Sequence, residues 1–202
     1  MWKATYEETH YEKLPWFDPD PSPQVQRAVA EKFLVPGTAV LDVGCGAGSN
    51  VLYLSRSGYR GFGVDISPGA VQAAKSRALE QGLKADFRLG DALQLGFPEG
   101  KFGGVVDNGC FHTLPVNRRT EYAREIRRVL APEGHFVLSW VAREHTAPRG
   151  PPHRPSLAEV TTTFESWFLF ERTEFLLPQE AGAPCNYVAW LSRRTIPQPP
   201  PR

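Results

Sequence analysis

Five apolar stretches of strand length, at residues 39–43, 61–65, 86–89, 102–106 and 135–141, alternate along the chain with segments of helical spacing. That alternation leaves few folds open. Strands that are apolar throughout must be covered on both faces, and helices between them make right-handed βαβ crossovers, so the expected sheet is parallel and buried. The helical segments carry their own punctuation. Ser22-Pro23 reads as a cap and a first-turn proline, with Val25, Ala28, Val29 and Phe33 on one face. Helical spacing from Ser49 to Ser57 ends at Gly58, and Ser67-Pro68 opens a helix with Val71, Ala74, Ala78 and Leu79 on one face and Gly82 at its close. Tyr122, Ile126, Val129 and Leu130 make another helix, followed by the turn Pro132-Glu133-Gly134. Ser156 with Glu159 forms a capping box, after which residues 168–176 and 187–192 follow with no helix between them and should pair antiparallel. The expected class is α/β: a mostly parallel sheet with an antiparallel C-terminal strand pair and helices on both faces.

The 202 residues are enough for one domain with a sizeable core. The expected organisation is an aromatic N-terminal arm or lid at 1–21, the domain at 22–194 and a proline-rich extended tail at 195–202. A net charge of +1 argues against a sequence-independent nucleic-acid surface. Arg118-Arg119 and Arg127-Arg128 read as a solvated helix face. No apolar stretch approaches the roughly 20 residues of a membrane span, and the mixed N-terminus has no signal-peptide core. Cys45, Cys110 and Cys185 give neither a disulfide framework nor a zinc spacing, His10, His145 and His153 are dispersed, and no metal is expected. These features fit a cytoplasmic protein with no membrane or nucleic-acid partner, a monomer being favoured.

The most informative stretch lies between the first strand and its helix: Asp42-Val-Gly44-Cys-Gly46-Ala-Gly48. Alternate glycines let the backbone turn sharply and approach a ligand, and the helix start behind them offers amide donors. Asp65 ends the second strand 21 positions after Gly44, where a carboxylate accepts the hydroxyls of a ribose. Asp91 follows the third strand, placed to accept from an adenine amino group, and Asp42 faces the place of a ligand ammonium. Each aspartate alone is as readily a cap as a ligand-binding group. Together with the glycines, all at strand carboxyl ends, they point to a site.

This combination resembles the class I methyltransferases that use S-adenosylmethionine, whose motif is an acidic residue followed by Gly-x-Gly-x-Gly. The resemblance covers about 35–192 and implies a Rossmann-like, seven-stranded sheet. It implies that Gly44, Gly46 and Gly48 line the cofactor, that Asp65 with Ile66 holds the ribose, and that Asp91 with Ala92 frames the adenine. Asp107 would lie near the transferred methyl, and Asp42 and Trp16 complete the set. Phe102-Gly103-Gly104 departs from the usual Phe-Asp, with an expected effect on local packing. A nicotinamide-dependent oxidoreductase is the rival, but its loop wants Gly-x-Gly-x-x-Gly and Ser49 stands where the third glycine belongs. A non-catalytic scaffold is a third reading.

For the acceptor, the stretch after the fourth strand, from Asp107 to Pro115, lacks the Asp/Asn-Pro-Pro-Tyr of nucleic-acid amine methyltransferases. Trp2 and Tyr6, then Pro15-Trp16-Phe17-Asp18, then Asp107 to Arg118, then Gly150-Pro-Pro152 ahead of Ser156 look like the branch holding thiopurine, halide/thiol and tellurite methyltransferases. That implies a small-molecule acceptor, a thiol or other soft nucleophile, with an O- or N-acceptor as the alternative. Trp16, Cys110, Phe111 and His112 are the expected acceptor-lining residues. His112 is the best candidate for a base because its ordinary pKa lies nearest neutrality, and Asp107 is the candidate for orienting the acceptor.

Overall fold

The computed structural model describes residues 5–6, 8–143, 153–177 and 185–195. Seven strands, β1 (Ala39–Val43), β2 (Arg60–Asp65), β3 (Ala85–Leu89), β4 (Phe102–Asn108), β5 (Leu130–Val141), β6 (Phe168–Leu176) and β7 (Asn186–Arg193), form one sheet in the order β3-β2-β1-β4-β5-β7-β6. Strands β1 to β5 are mutually parallel, and β7 runs antiparallel to both its neighbours. The expected fold class is therefore found. The order reverses between β1 and β4, so the crevice at the carboxyl ends of these two strands is the switch point where open α/β sheets bind ligands.

Helices α1 (Pro23–Ala30), α2 (Ser49–Arg56) and α3 (Pro68–Glu80) cover one face, while α4 (Arg119–Val129) and α5 (Leu157–Phe164) cover the other. The alternation of β1 sorts the core: Val40 packs with Val25, Leu54 and Trp190, whereas Leu41 and Val43 join Tyr122, Ile126 and Phe164. All five β1 residues are buried, as a parallel strand covered on both faces requires. The two glycines Gly103-Gly104 have a packing reason. An added Cβ would come within 2.8 Å of Thr38 at the first and 2.6 Å of Leu34 at the second.

Several local expectations are corrected. Ser22 precedes α1 without capping it; its hydroxyl and amide both donate to Asn50 Oδ1. Phe33 lies beyond the end of α1. Leu79 is 83% exposed, because it is turned about 100° from buried Ala78. Leu130 belongs to β5: its backbone is already extended and pairs with Phe102, and the 132–134 turn becomes an irregularity within the strand, with Glu133 at φ 59°. The capping box of Ser156 and Glu159 is present. Trp2, His145, residues 150–152 and 196–202 fall outside the described residues. Among the described residues, no helix is long and apolar enough to cross a membrane.

Candidate active site

The glycine loop joins β1 to α2 and is tied to β2 by the amides of Gly44 and Cys45, which both donate to the Val64 carbonyl at 2.8 and 3.1 Å. Gly48 is the cap of α2 at φ 85°, with no side chain capping the first turn. A Cβ there would meet Phe87 at 2.8 Å, and one on Gly44 would meet the Cys110 Cβ at 2.7 Å. Sterics thus require the outer two glycines whether or not a ligand is bound. Gly46 differs: its added Cβ would meet the Tyr6 hydroxyl at 3.0 Å, and its amide donates to Asp65 Oδ2 at 2.9 Å.

Asp65 takes a second amide, from Ser67, on Oδ1 at 2.9 Å. The Ile66 amide also acts on this carboxylate, which leaves part of its accepting capacity free. Burial raises its pKa, against the pull of those amides. Asp42, on the next strand, is buried and its pKa is pushed well up by desolvation and by the charge of Asp107. Ile66 is exposed. Asp91 is exposed and accepts from the Leu93 amide at 2.9 Å, so it caps its own turn.

The loop after β4 is held differently. Asp107 Oδ1 accepts from the Cys110 amide at 2.7 Å, while Oδ2 accepts from the Phe111 amide at 2.9 Å and the Tyr122 hydroxyl at 2.5 Å. Its side chain therefore positions the loop, a correction to the expectation that it orients the acceptor. Burial raises its pKa to about 6. Phe111, expected to line the acceptor pocket, is instead fully buried against Tyr122 and Phe164. Cys110 is partly buried with its thiol pKa pushed well up by desolvation and nearby carboxylates, the wrong direction for a nucleophile.

His112 carries the largest revision. The Val141 amide donates to its Nδ1 at 3.1 Å, which fixes the neutral ring with its proton on Nε2. Burial, with Arg119 and Arg154 nearby, lowers its pKa to about 4. A ring whose one lone pair is already engaged donates a hydrogen bond from Nε2 and takes no proton. Arg119, read from sequence as solvated, is only 3% exposed and donates from Nη2 to the His112 carbonyl.

The arm lies against the glycine loop. Trp16, 47% exposed, donates its indole N–H to the Tyr6 hydroxyl, and Tyr6 stands against Gly46 and Gly69. Arg77 fastens the arm: Nη1 donates to the Ala47 carbonyl at 2.7 Å and Ser49 Oγ at 3.0 Å, Nη2 to the Pro19 carbonyl at 3.2 Å. Tyr6 belongs to the aromatic arm that the sequence singles out, whereas Arg77, Arg119 and Tyr122, which brace the loops around the crevice, are not singled out by the spacing. Among the described residues, no three His, Cys, Asp or Glu side chains gather as a metal site.

Residues 40–134 match the family model of a methyltransferase domain. A curated relative, the 2-heptyl-1-hydroxyquinolin-4(1H)-one methyltransferase of Mycobacteroides abscessus, is 34% identical over 143 residues, covering 68% of this chain and 62% of that protein. The chain carries a class I methyltransferase domain of the S-adenosylmethionine-dependent kind. The solved structure described for conversion of a disulfide bond into a thioacetal group during echinomycin biosynthesis superposes on this domain with a TM-score of 0.78 at 26% identity, over 95% of this chain and 88% of that one. The 1,6-didemethyltoxoflavin-N1-methyltransferase of Burkholderia thailandensis, solved with S-adenosylhomocysteine, shares the domain's fold with a TM-score of 0.74 at 22% identity, over 96% and 86% of the two chains. The methyltransferase domain spans less than two thirds of the length of the curated relatives it matches.

Proposed function

We propose that the protein transfers the methyl group of S-adenosylmethionine to a small molecule whose nucleophilic atom needs no base from the protein, a thiol first of all. When bound, the cofactor supplies a methyl already activated on a sulfonium, so transfer is an in-line displacement. The residues present fit it. Gly46 is the loop glycine whose Cβ space faces the Tyr6 hydroxyl rather than the core, and Asp65, with three amides on two oxygens, keeps accepting capacity for a ribose hydroxyl. Asp42, Ile66, Asp91 and Ala92 complete the cradle in this reading. Tyr6 and Trp16 roof it, excluding water and facing the cation with aromatic rings. The chain's work is then to align two bound partners, an effect worth up to about 7–11 kcal/mol in favourable cases.

The observation that carries the base-free reading is the Val141 amide on His112 Nδ1, 3.1 Å away. With that lone pair engaged His112 accepts no proton, and three donors tie the Asp107 carboxylate to its own loop. A thiol, with an ordinary pKa of about 8.5, already holds some thiolate at neutral pH. An acidic hydroxyl on a heteroaromatic ring is the second reading, favoured by the 34% identical relative named for a hydroxyquinolinone. The test is a set of thiols of graded acidity, following S-adenosylhomocysteine formation against pH. The inflection in kcat/KM should move with the thiol's own pKa; an inflection that stays put across the set would show a protein base at work.

A further inference from the structure

We infer that Arg119 receives the negative charge of the methyl acceptor, and that the acceptor is an organic anion such as a thiolate or an ionised acidic hydroxyl. This rests on the methyl-transfer reading above and names the substrate class of that site.

Arg119 is the first residue of α4, and its guanidinium lies 4.9 Å over the Phe111 ring. It is 3% exposed, its hydrogen bond to the His112 carbonyl is a long 3.3 Å, and its buried Nε has no partner among the described residues. A buried guanidinium without a counter-ion is costly. Half-buried Arg127 also leaves its buried Nε without a partner among the described residues, but Arg77 and Arg128 avoid that cost. Arg77 reaches three oxygens, and Arg128 pairs with Glu125 and the Phe97 carbonyl. Adjacent Arg118 takes both oxygens of Glu121.

The acid nearest in effect, Glu159, does not complete Arg119. Glu159 Oε2 is held by the Ser156 amide and hydroxyl and by Arg143, and Oε1 faces His153 at 3.4 Å. Arg119 and Arg154 both act on His112 as positive charges. The loop thus presents a guanidinium short of acceptors and, two residues beyond Cys110, an imidazole fixed as an Nε2–H donor. Both are donors, and the Arg119 Nε lacks among the described residues the acceptor that an anion brings.

The charges balance across the reaction. The acceptor's anionic electron pair forms the new bond to the methyl carbon while the carbon–sulfur pair returns to sulfur, and no proton changes hands. The methylated product has lost the charge that Arg119 held, so the same contact that gathers the substrate lets the product go.

The test uses the full chain loaded with S-adenosylhomocysteine and two probes differing by one methyl: 4-nitrophenolate, ionised at about pH 8, and its neutral ether 4-nitroanisole. Calorimetry should show the anion binding about tenfold or more tighter than the ether. Arg119→Met should erase that preference and Arg119→Lys retain most of it, with affinity for S-adenosylhomocysteine unchanged in both. Equal affinities in the parent, no binding of 4-nitrophenolate at all, or a preference that survives Arg119→Met would overturn the inference while leaving the cofactor site standing. Failure of the parent to bind S-adenosylhomocysteine would overturn both. Should the variants fail to fold, the parent's choice between the two probes decides alone.

Discussion

On the β1–β3 side of the crevice the charged groups are carboxylates, and the one at the centre, Asp65, is gripped by main-chain amides. Beyond β4 the groups are hydrogen-bond donors, the buried Arg119 guanidinium and the neutral His112 ring, and the loop leading to them is held by side chains: Tyr122 on Asp107, and His112 on the Val141 amide. The first half is dictated by where strands end and helices begin. The second hangs on a few individual residues, so one substitution can re-aim it. A methyltransferase needs that asymmetry, because its donor is constant and its acceptor is what distinguishes one enzyme from another.

The sharpest way to break the comparison is Asp65→Ala, which removes the acid end while leaving the loop glycines in place. S-adenosylmethionine affinity by calorimetry should fall about a hundredfold or more, as expected for losing charge-assisted bonds to two hydroxyls. Unchanged affinity would dissolve the acid half of the comparison.

The acceptor half is tested by pH. His112 sits at about 4 in the folded chain against an ordinary 6.5, so its contribution to stability is complete above 6.5 and is lost as pH falls toward 4. Asp107, raised from 3.8 to about 6, runs the other way: its contribution is complete below 3.8 and is lost as pH rises through 6. His112→Asn keeps an acceptor for the Val141 amide but removes the first dependence. On acidification from about pH 7 to about pH 4 it should gain roughly 2–3 kcal/mol relative to the parent in denaturant melts. Asp107→Asn should shift the same comparison in the opposite direction.

Tyr122→Phe deletes one donor to a buried carboxylate and should cost about 2 kcal/mol in stability. It should also raise hydrogen exchange in the loop after β4 more than at the glycine loop; equal loosening of both would mean that the halves are not separately held. Smallest of all, Trp16→Phe removes an exposed hydrogen bond to Tyr6, and the cofactor Kd should rise only about two- to fivefold.

The sheet was legible because its inner strands are mostly apolar and its helices are punctuated by proline and glycine, signals that lie within a few residues of each other. The misreadings fall at element ends, where tertiary context decides. Leu130 has helical spacing with Ile126, yet pairing with Phe102 draws it into β5. The acid half of the site was equally readable, since glycines and aspartates sit at strand ends. The cationic half was not. Arg118 and Arg119 look alike in sequence, and only the start of α4, with Arg118 at its N-cap and Arg119 in its first turn, buries the second while exposing the first. Tyr122 had been assigned to the core by its spacing, and its hydroxyl finds Asp107 15 residues away. Arg77 and Ala47 are 30 residues apart, and nothing in either neighbourhood announces the contact.

That last contact ties the height of the roof to the shape of the floor. One guanidinium spans the Pro19 carbonyl, the Ala47 carbonyl and the Ser49 hydroxyl, so lengthening the chain between Pro19 and the start of α1 would tug on the turn beside Gly48 as well. Changes that resize the entrance for a bulkier guest must therefore travel in company with changes beneath it, and pairs of substitutions at these places should show energies that do not add.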